Sequence, residues 1–225
     1  PGVTVYELMT SPNGQLHFRV KDHSGNFFEI AEANSWFKKN NSISGGVYGA
    51  TIGVSNMDSA LNFYKNLLGI TEVVYDITSA FADVPHNSQK VFRRVLIRKN
   101  KSSCGAFTNL LGDVEIELVQ NTENCSGKIF AGRYWGDCGF IHLCFDVTDM
   151  DSLKELSCEL CYTFTVDSKD SYAMDTAEGR FCYVEDHDGT LIELVETHKI
   201  PIIKKLNWNL RLKKRKSQKH LTACI

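Results

Sequence analysis

One hairpin signature occurs twice in this chain. Asp22-His23-Ser24-Gly25 and Asp186-His187-Asp188-Gly189 each lie between two apolar runs, the second of which carries a glutamate, Glu29 in one copy and Glu193 in the other. Gly25 and Gly189 stand where a tight hairpin needs a positive φ, and Asp22 and Asp186 can cap such a turn through their side chains. Self-similarity on this scale means copies of one supersecondary unit, which restricts the fold more than any compositional figure does.

A second repeat pairs a strand with a helix. Val47 to Val54 is followed by Met57, Ala60, Leu61, Tyr64 and Leu68 at helical spacing, and Phe140 to Val147 by Met150, Leu153, Leu156 and Leu160. Asn56, and Thr148 or Asp149, are the expected N-caps, and Gly69 the first helix stop. Each helix leads into three further strands, predicted at 71–77, 91–98 and 114–120 in the first unit and at 162–166, 180–185 and 191–196 in the second. The expected class is α+β, with two β-α-β-β-β units at 47–124 and 138–198. Residues 1–38 read as the closing hairpin of a similar unit, 39–46 as a linker and 199–225 as a basic C-terminal tail. A lone hairpin is marginal in water, so the expectation is the C-terminal portion of a longer protein.

The 225 residues are 43% hydrophobic and 23% charged, too apolar for a disordered chain. No apolar run reaches the roughly 18 to 20 residues that cross a bilayer, and Pro1 to Glu7 has neither the basic nor the apolar region of a signal peptide. Cys144 and Cys182 fall in strands, and Cys158 and Cys161 near a helix end, so the cysteines read as reduced, packed thiols in a cytoplasmic protein. Residues 199–225 hold nine of the 25 Lys and Arg and no acid; with a net charge of -2, the rest of the chain is near -11. An acidic body argues against a nucleic-acid-binding face, and the tail reads as an exposed, partly helical appendage.

Strand parity assigns faces. Ile141, Leu143, Phe145 and Val147 form an apolar face, leaving His142, Cys144 and Asp146 opposite. Ile192 and Leu194 leave Glu193 opposite, and Ile116 and Leu118 leave Glu115 and Glu117. Two sheets curled toward each other would place His142, Glu117 and Glu193 in one cleft, where two desolvated carboxylates call for a cation. Imidazole and carboxylate suit a divalent metal ion: Zn, Ni, Co, Mn or Fe. Arg94 and Arg98 share a strand face and could fork onto a substrate carboxylate or phosphate, a solvated face being the plainer account. Glu29 holds the slot of Glu193 in the partial unit, where a structural role is expected. His23 and His187 read as solvated turn residues, and Ser79 to Lys90 as a polar connection that could cover the cleft.

The segments Ile52 to Gly69, Val114-Glu-Ile-Glu-Leu118, Gly139-Phe-Ile-His-Leu143 and Glu185 to Glu196, in this order, resemble the vicinal oxygen chelate superfamily of glyoxalases, methylmalonyl-CoA epimerases and extradiol dioxygenases. The resemblance implies paired β-α-β-β-β modules forming an incomplete barrel around a cleft, with metal ligands on the first and last strands. Carried over by position, those ligands are Glu117, His142 and Glu193, while the remaining slot falls on Gly49, which cannot ligate. The implied activity is a metal-dependent glyoxalase-type lyase or isomerase reaction on a small oxygenated substrate, through a chelated enediolate. His142 and Glu117 would hold the ion, with Glu193 ligating or detaching as base. The alternative is a non-catalytic small-molecule-binding protein. An extradiol dioxygenase fits less well, since its iron site wants two His and one carboxylate. The cleft would be completed within the chain or across a homodimer.

Overall fold

The computed structural model describes residues 2–33, 42–43, 45–84, 90–99, 105–108, 113–123, 127–169, 172–174, 177–206 and 208–212. The expected repeat is present. The first complete unit runs β5 (Gly49–Val54), α1 (Met57–Asn66), β6 (Glu72–Ala80), β7 (Val91–Arg98) and β8 (Glu115–Asn121), and its sheet has the order β5-β8-β7-β6. The second runs β9 (His142–Asp146), α2 (Met150–Glu159), β10 (Phe164–Asp167), β11 (Tyr172–Met174), β12 (Ala177–Glu185), β13 (Leu191–Ile203) and β14 (Trp208–Arg211). In both units the first strand lies parallel to a later one, β5 on β8 and β9 on β13, so the connecting helix crosses one face of the sheet. Ahead of them, β1 (Thr4–Val5), β2 (Met9–Thr10), β3 (Leu16–Lys21) and β4 (Phe27–Ala31) form a small antiparallel sheet.

The two hairpin turns are built alike. Asp22 Oδ1 accepts from the N–H groups of Ser24 (2.9 Å) and Asn26 (2.8 Å), and Asp186 Oδ1 from those of Asp188 (2.9 Å) and Thr190 (2.8 Å). Gly25 and Gly189 take φ of 88° and 77°. Asn56 caps α1 through Ser59 N–H, and Asp149 caps α2 through Ser152 N–H.

The helices decide how the complete units sit together. Met57, Ala60, Phe63 and Tyr64 of α1 are buried in a core that also holds Ile52, Val95, Ile97, Ile116 and Leu118 of the first sheet and Cys182, Val184, Ile192 and Leu194 of the second. Tyr64 donates its hydroxyl to Asp186 Oδ2 at 2.9 Å, and Phe63 meets Tyr162 edge-on with centroids 4.8 Å apart. The apolar sheet faces therefore share one core, and the polar faces carrying Glu117 and Glu193 lie on the sides away from it.

The C-terminal boundary differs from the expected one. β13 continues to Ile203 and β14 returns along it, with Lys199 paired to Arg211 and Ile200 to Leu210, so 199–211 belongs to the second sheet. The apolar residues Ile200, Ile202, Ile203, Leu206 and Leu210 interrupt the basic run and favour pairing over a solvated helix. Residues 213–225 lie outside the described part, as do 85–89 of the predicted cleft cover.

Asp167 joins α2, β10 and β12. It accepts from Arg180 Nε (3.0 Å) and Nη2 (2.8 Å) and from Lys154 Nζ (2.9 Å), and Arg180 above all holds its carboxyl far below the usual carboxylate range. Because the folded-state value is depressed, the linked stability is fully present above the unfolded value of about 3.9 and is lost as pH falls below it. Urea titrations between pH 6 and pH 2 will show a shallower loss of stability in Asp167→Asn than in the parent chain. Equal slopes would mean that this group is not what acid attacks.

Candidate functional site

The first polar face is closed by its own charges. On β7 and β8, Arg94 and Glu117 lie two register positions apart on the same face, and Arg94 is 2% exposed. Its Nε donates to Glu117 Oε1 at 2.7 Å and its Nη1 to both oxygens of Asp83 at 2.7 Å. Tyr75 of β6 donates its hydroxyl to the same Glu117 oxygen, and Thr51 of β5 reaches Oε2 at 3.4 Å. Burial, and then the neighbouring Glu117, pushes Tyr75 ionisation far above its ordinary value, so the phenol stays a donor. The reading of Arg94 as part of a solvated strand face is corrected, because the guanidinium is a buried counter-ion. Arg98 donates Nε to Glu115 at 2.6 Å and lies 3.6 Å from Glu72, two carboxylates that occupy its fork at the sheet edge.

The N-terminal sheet packs onto this face. Arg19 pairs with Glu29 at 3.0 Å and approaches Asp83 at 3.9 Å. His17, 1% exposed, shares a bond with Ser11 Oγ through Nδ1 (2.9 Å), while its Nε2 is buried without a hydrogen-bond partner, 3.7 Å from Asp83 Oδ2 and 4.0 Å from Glu29 Oε2. That spacing is too long for a direct bond and short enough for one oxygen to bond both groups. Asp83 also lines a cleft of about 520 Å³ between the hairpin sheet and β6, walled by Leu8, Met9, Pro12, Ile77 and Phe81.

The second polar face is open. His142 Nε2 lies 2.9 Å from Glu193 Oε2, and Tyr183 of β12 donates to Glu193 Oε1 at 3.1 Å. Tyr183 and Trp135 stand around the imidazole, with centroids 5.5 and 6.1 Å from it. Cys144, level with Glu193 across the parallel pair, has its thiol pushed up to about 12, by burial first and by Glu193 second, so it is a neutral neighbour and not a thiolate.

The structure thus brings His142 and Glu193 together and holds Glu117 elsewhere, under Arg94. Among the described residues no three His, Cys, Asp or Glu side chains gather closely enough to hold a metal ion. The three residues expected to share one ion, Glu117, His142 and Glu193, are thus not gathered within this chain, because the units pack through their helices, which turns the two polar faces away from each other. A guanidinium occupies the first carboxylate, and among the described residues two donors, His142 and Glu193, converge at the second face. The fourth slot is closed as well. A Cβ on Gly49 would stand 2.2 Å from the backbone oxygen of Glu115, so Gly49→Ala will cost about 2 to 4 kcal/mol in chemical denaturation, where an ordinary strand position would gain from the change. A stable Gly49→Ala would show that the slot can accept a side chain.

Tyr75 and Tyr183 were legible by parity, Tyr183 one strand from Glu193 and Tyr75 two strands from Glu117. Asp83 and His17 were not, since Asp83 lies past a strand end with no periodicity to mark it, and His17 belongs to a different sheet.

The chain belongs to the glyoxalase/bleomycin resistance protein/dioxygenase superfamily, whose sequence model matches residues 48–194. Its fold resembles that of a glyoxalase family protein from Bacillus cereus, with a TM-score of 0.51 and 15% identity over 71% of this chain and 97% of the other. It also resembles glyoxalase I from Zea mays, with a TM-score of 0.54 and 14% identity over 87% of this chain; the match spans 59% of the maize enzyme. None of the curated proteins matches the sequence. No helix among the described residues is long and apolar enough to cross a membrane.

Proposed function

We propose that this chain binds a small molecule with an apolar body and an oxygen-bearing head in the cleft between the N-terminal sheet and the first complete unit. One observation carries this reading: the buried, unpartnered Nε2 of His17 stands 3.7 Å from Asp83, a residue of the cleft wall. A hydroxyl or carbonyl oxygen placed there would satisfy the imidazole, and the apolar walls would bury the remainder. Arg94 neutralises Glu117 and Asp83 in place of a cation, so ligand capture needs no metal. Native mass spectrometry of the full chain against a panel of small alcohols, phenols and ketones tests this. Expected are ligands retained by Glu193→Gln and lost by Ala82→Trp, which fills the cleft. Binding that survives Ala82→Trp, or that needs a full equivalent of a transition metal, would overturn it.

A second reading, a glyoxalase-type isomerase or lyase step, has one observation in its favour. The imidazole of His142 and the carboxylate of Glu193 are 2.9 Å apart with Tyr183 fixing the other oxygen, a pair able to move a proton next to a carbonyl. A divalent ion on this face would have His142 and Glu193 as its donors from this chain. Solvent deuterium entering an α-hydroxy ketone with the parent chain, and not with Glu193→Gln, would establish turnover; equal, uncatalysed exchange would leave the chain a binder.

A further inference from the structure

Each helix is followed by one residue in the left-handed region, with a different residue at that position. Gly69 follows α1 with φ of 66°, and Ile70 N–H returns to Tyr64 oxygen at 3.2 Å. After α2 the corresponding position is Cys161, with φ of 62°; its N–H returns to Cys158 oxygen at 3.0 Å and that of Tyr162 to Ser157 oxygen at 2.8 Å. This is the Schellman closure, in which glycine is preferred because a Cβ is crowded in the left-handed region. A strained residue held at a site that glycine fills in the sister unit calls for a function of its own side chain. Cys161 and Cys158 are both exposed free thiols, so they are not the packed pair expected from the sequence. A hydrogen-bonded four-residue turn brings its first and last Cα within about 7 Å, the range that a disulfide spans.

We propose that Cys158 and Cys161 form a dithiol modification site that closes to an intramolecular disulfide by exchange with small-molecule disulfides. One cysteine thiolate attacks a sulfur of the small disulfide, breaking its S–S bond and releasing one small thiol. The other cysteine thiolate then attacks the protein sulfur of the mixed disulfide, forming the Cys158–Cys161 bond and releasing the second small thiol. Two electrons pass from the cysteines to the small disulfide, and the two thiol protons leave on its products. The closed ring would clamp the end of α2 beside Tyr162, the residue that packs on Phe63 of the other unit.

The full chain is equilibrated with mixtures of oxidised and reduced glutathione, quenched in acid, alkylated and digested. The expected result is a peptide carrying both residues that loses its two alkylation sites together, with the mass of two hydrogens, and regains them with dithiothreitol. Cys158→Ser and Cys161→Ser should each stop at one glutathione adduct. Cys161→Gly, which installs the residue α1 uses, should keep the folding transition and show the same single adduct on Cys158. Two alkylated thiols, or two separate adducts, in the parent chain under wholly oxidised glutathione would overturn the assignment. So would single variants that take no adduct.

Discussion

Replacing Arg94 with alanine will destabilise the protein by about 3 to 5 kcal/mol, the range for stripping one partner from a buried ion pair. Arg94 is the only side chain that bonds both Asp83 and Glu117 among the described contacts, and its removal strands two carboxylates that are 8% and 7% exposed. Coulombic attraction alone would not decide the size of the effect, since the guanidinium carries its own desolvation cost. The penalty comes from leaving the acids buried without a counter-ion. Equilibrium urea unfolding at neutral pH will read it directly. Adding Glu117→Gln and Asp83→Asn should recover part of the loss at neutral pH. A loss below about 1 kcal/mol at neutral pH would mean that water enters this network, and the case for Arg94 standing in for a cation would fail.

The second large effect is expected at Asp186. Alanine there leaves the N–H groups of Asp188 and Thr190 and the hydroxyl of Tyr64 without their acceptor, in a residue 6% exposed. At about 1 to 3 kcal/mol for each buried group left unsatisfied, and with relaxation making the costs less than additive, about 3 to 5 kcal/mol should be lost. Burial, and then Asp186 itself, pushes Tyr64 ionisation well up, so the phenol remains a donor across the neutral range. Asp22 supplies the internal control. It makes the same two turn bonds, but in an exposed hairpin where water replaces what alanine removes, so Asp22→Ala should cost no more than about 1 kcal/mol. Thermal unfolding of the two variants side by side measures the difference. Equal losses would show that turn geometry, and not the joint between the units, sets the value of this acid.

Much of the architecture was readable because it rests on local chemistry. Apolar spacing of 3.6 marked α1 and α2, alternation marked the strands, and the repeated Asp-His-x-Gly signature marked each hairpin; all of these depend on neighbours within a few residues. Strand parity likewise placed Glu117 opposite Ile116 and Glu193 opposite Ile192, as the structure has them. Parity says which side of its own sheet a residue faces, and it carries no information about which sheet lies across from that side.

That relation belongs to tertiary packing. The apolar faces of the two complete units were satisfied by burying them in one shared core, with Tyr64 and Phe63 of one unit meeting Asp186 and Tyr162 of the other. Once helices and apolar faces met, the polar faces pointed apart. Glu117 went to Arg94 and Asp83 beneath the N-terminal sheet, and Glu193 to His142 and Tyr183 on an open one. The sequence alone determined the repeated unit, its turns, caps and strand faces, because these follow from backbone geometry and residue spacing. Which carboxylate met a guanidinium and which an imidazole was decided by the packing of one unit on another, a choice made by surfaces far apart in the chain.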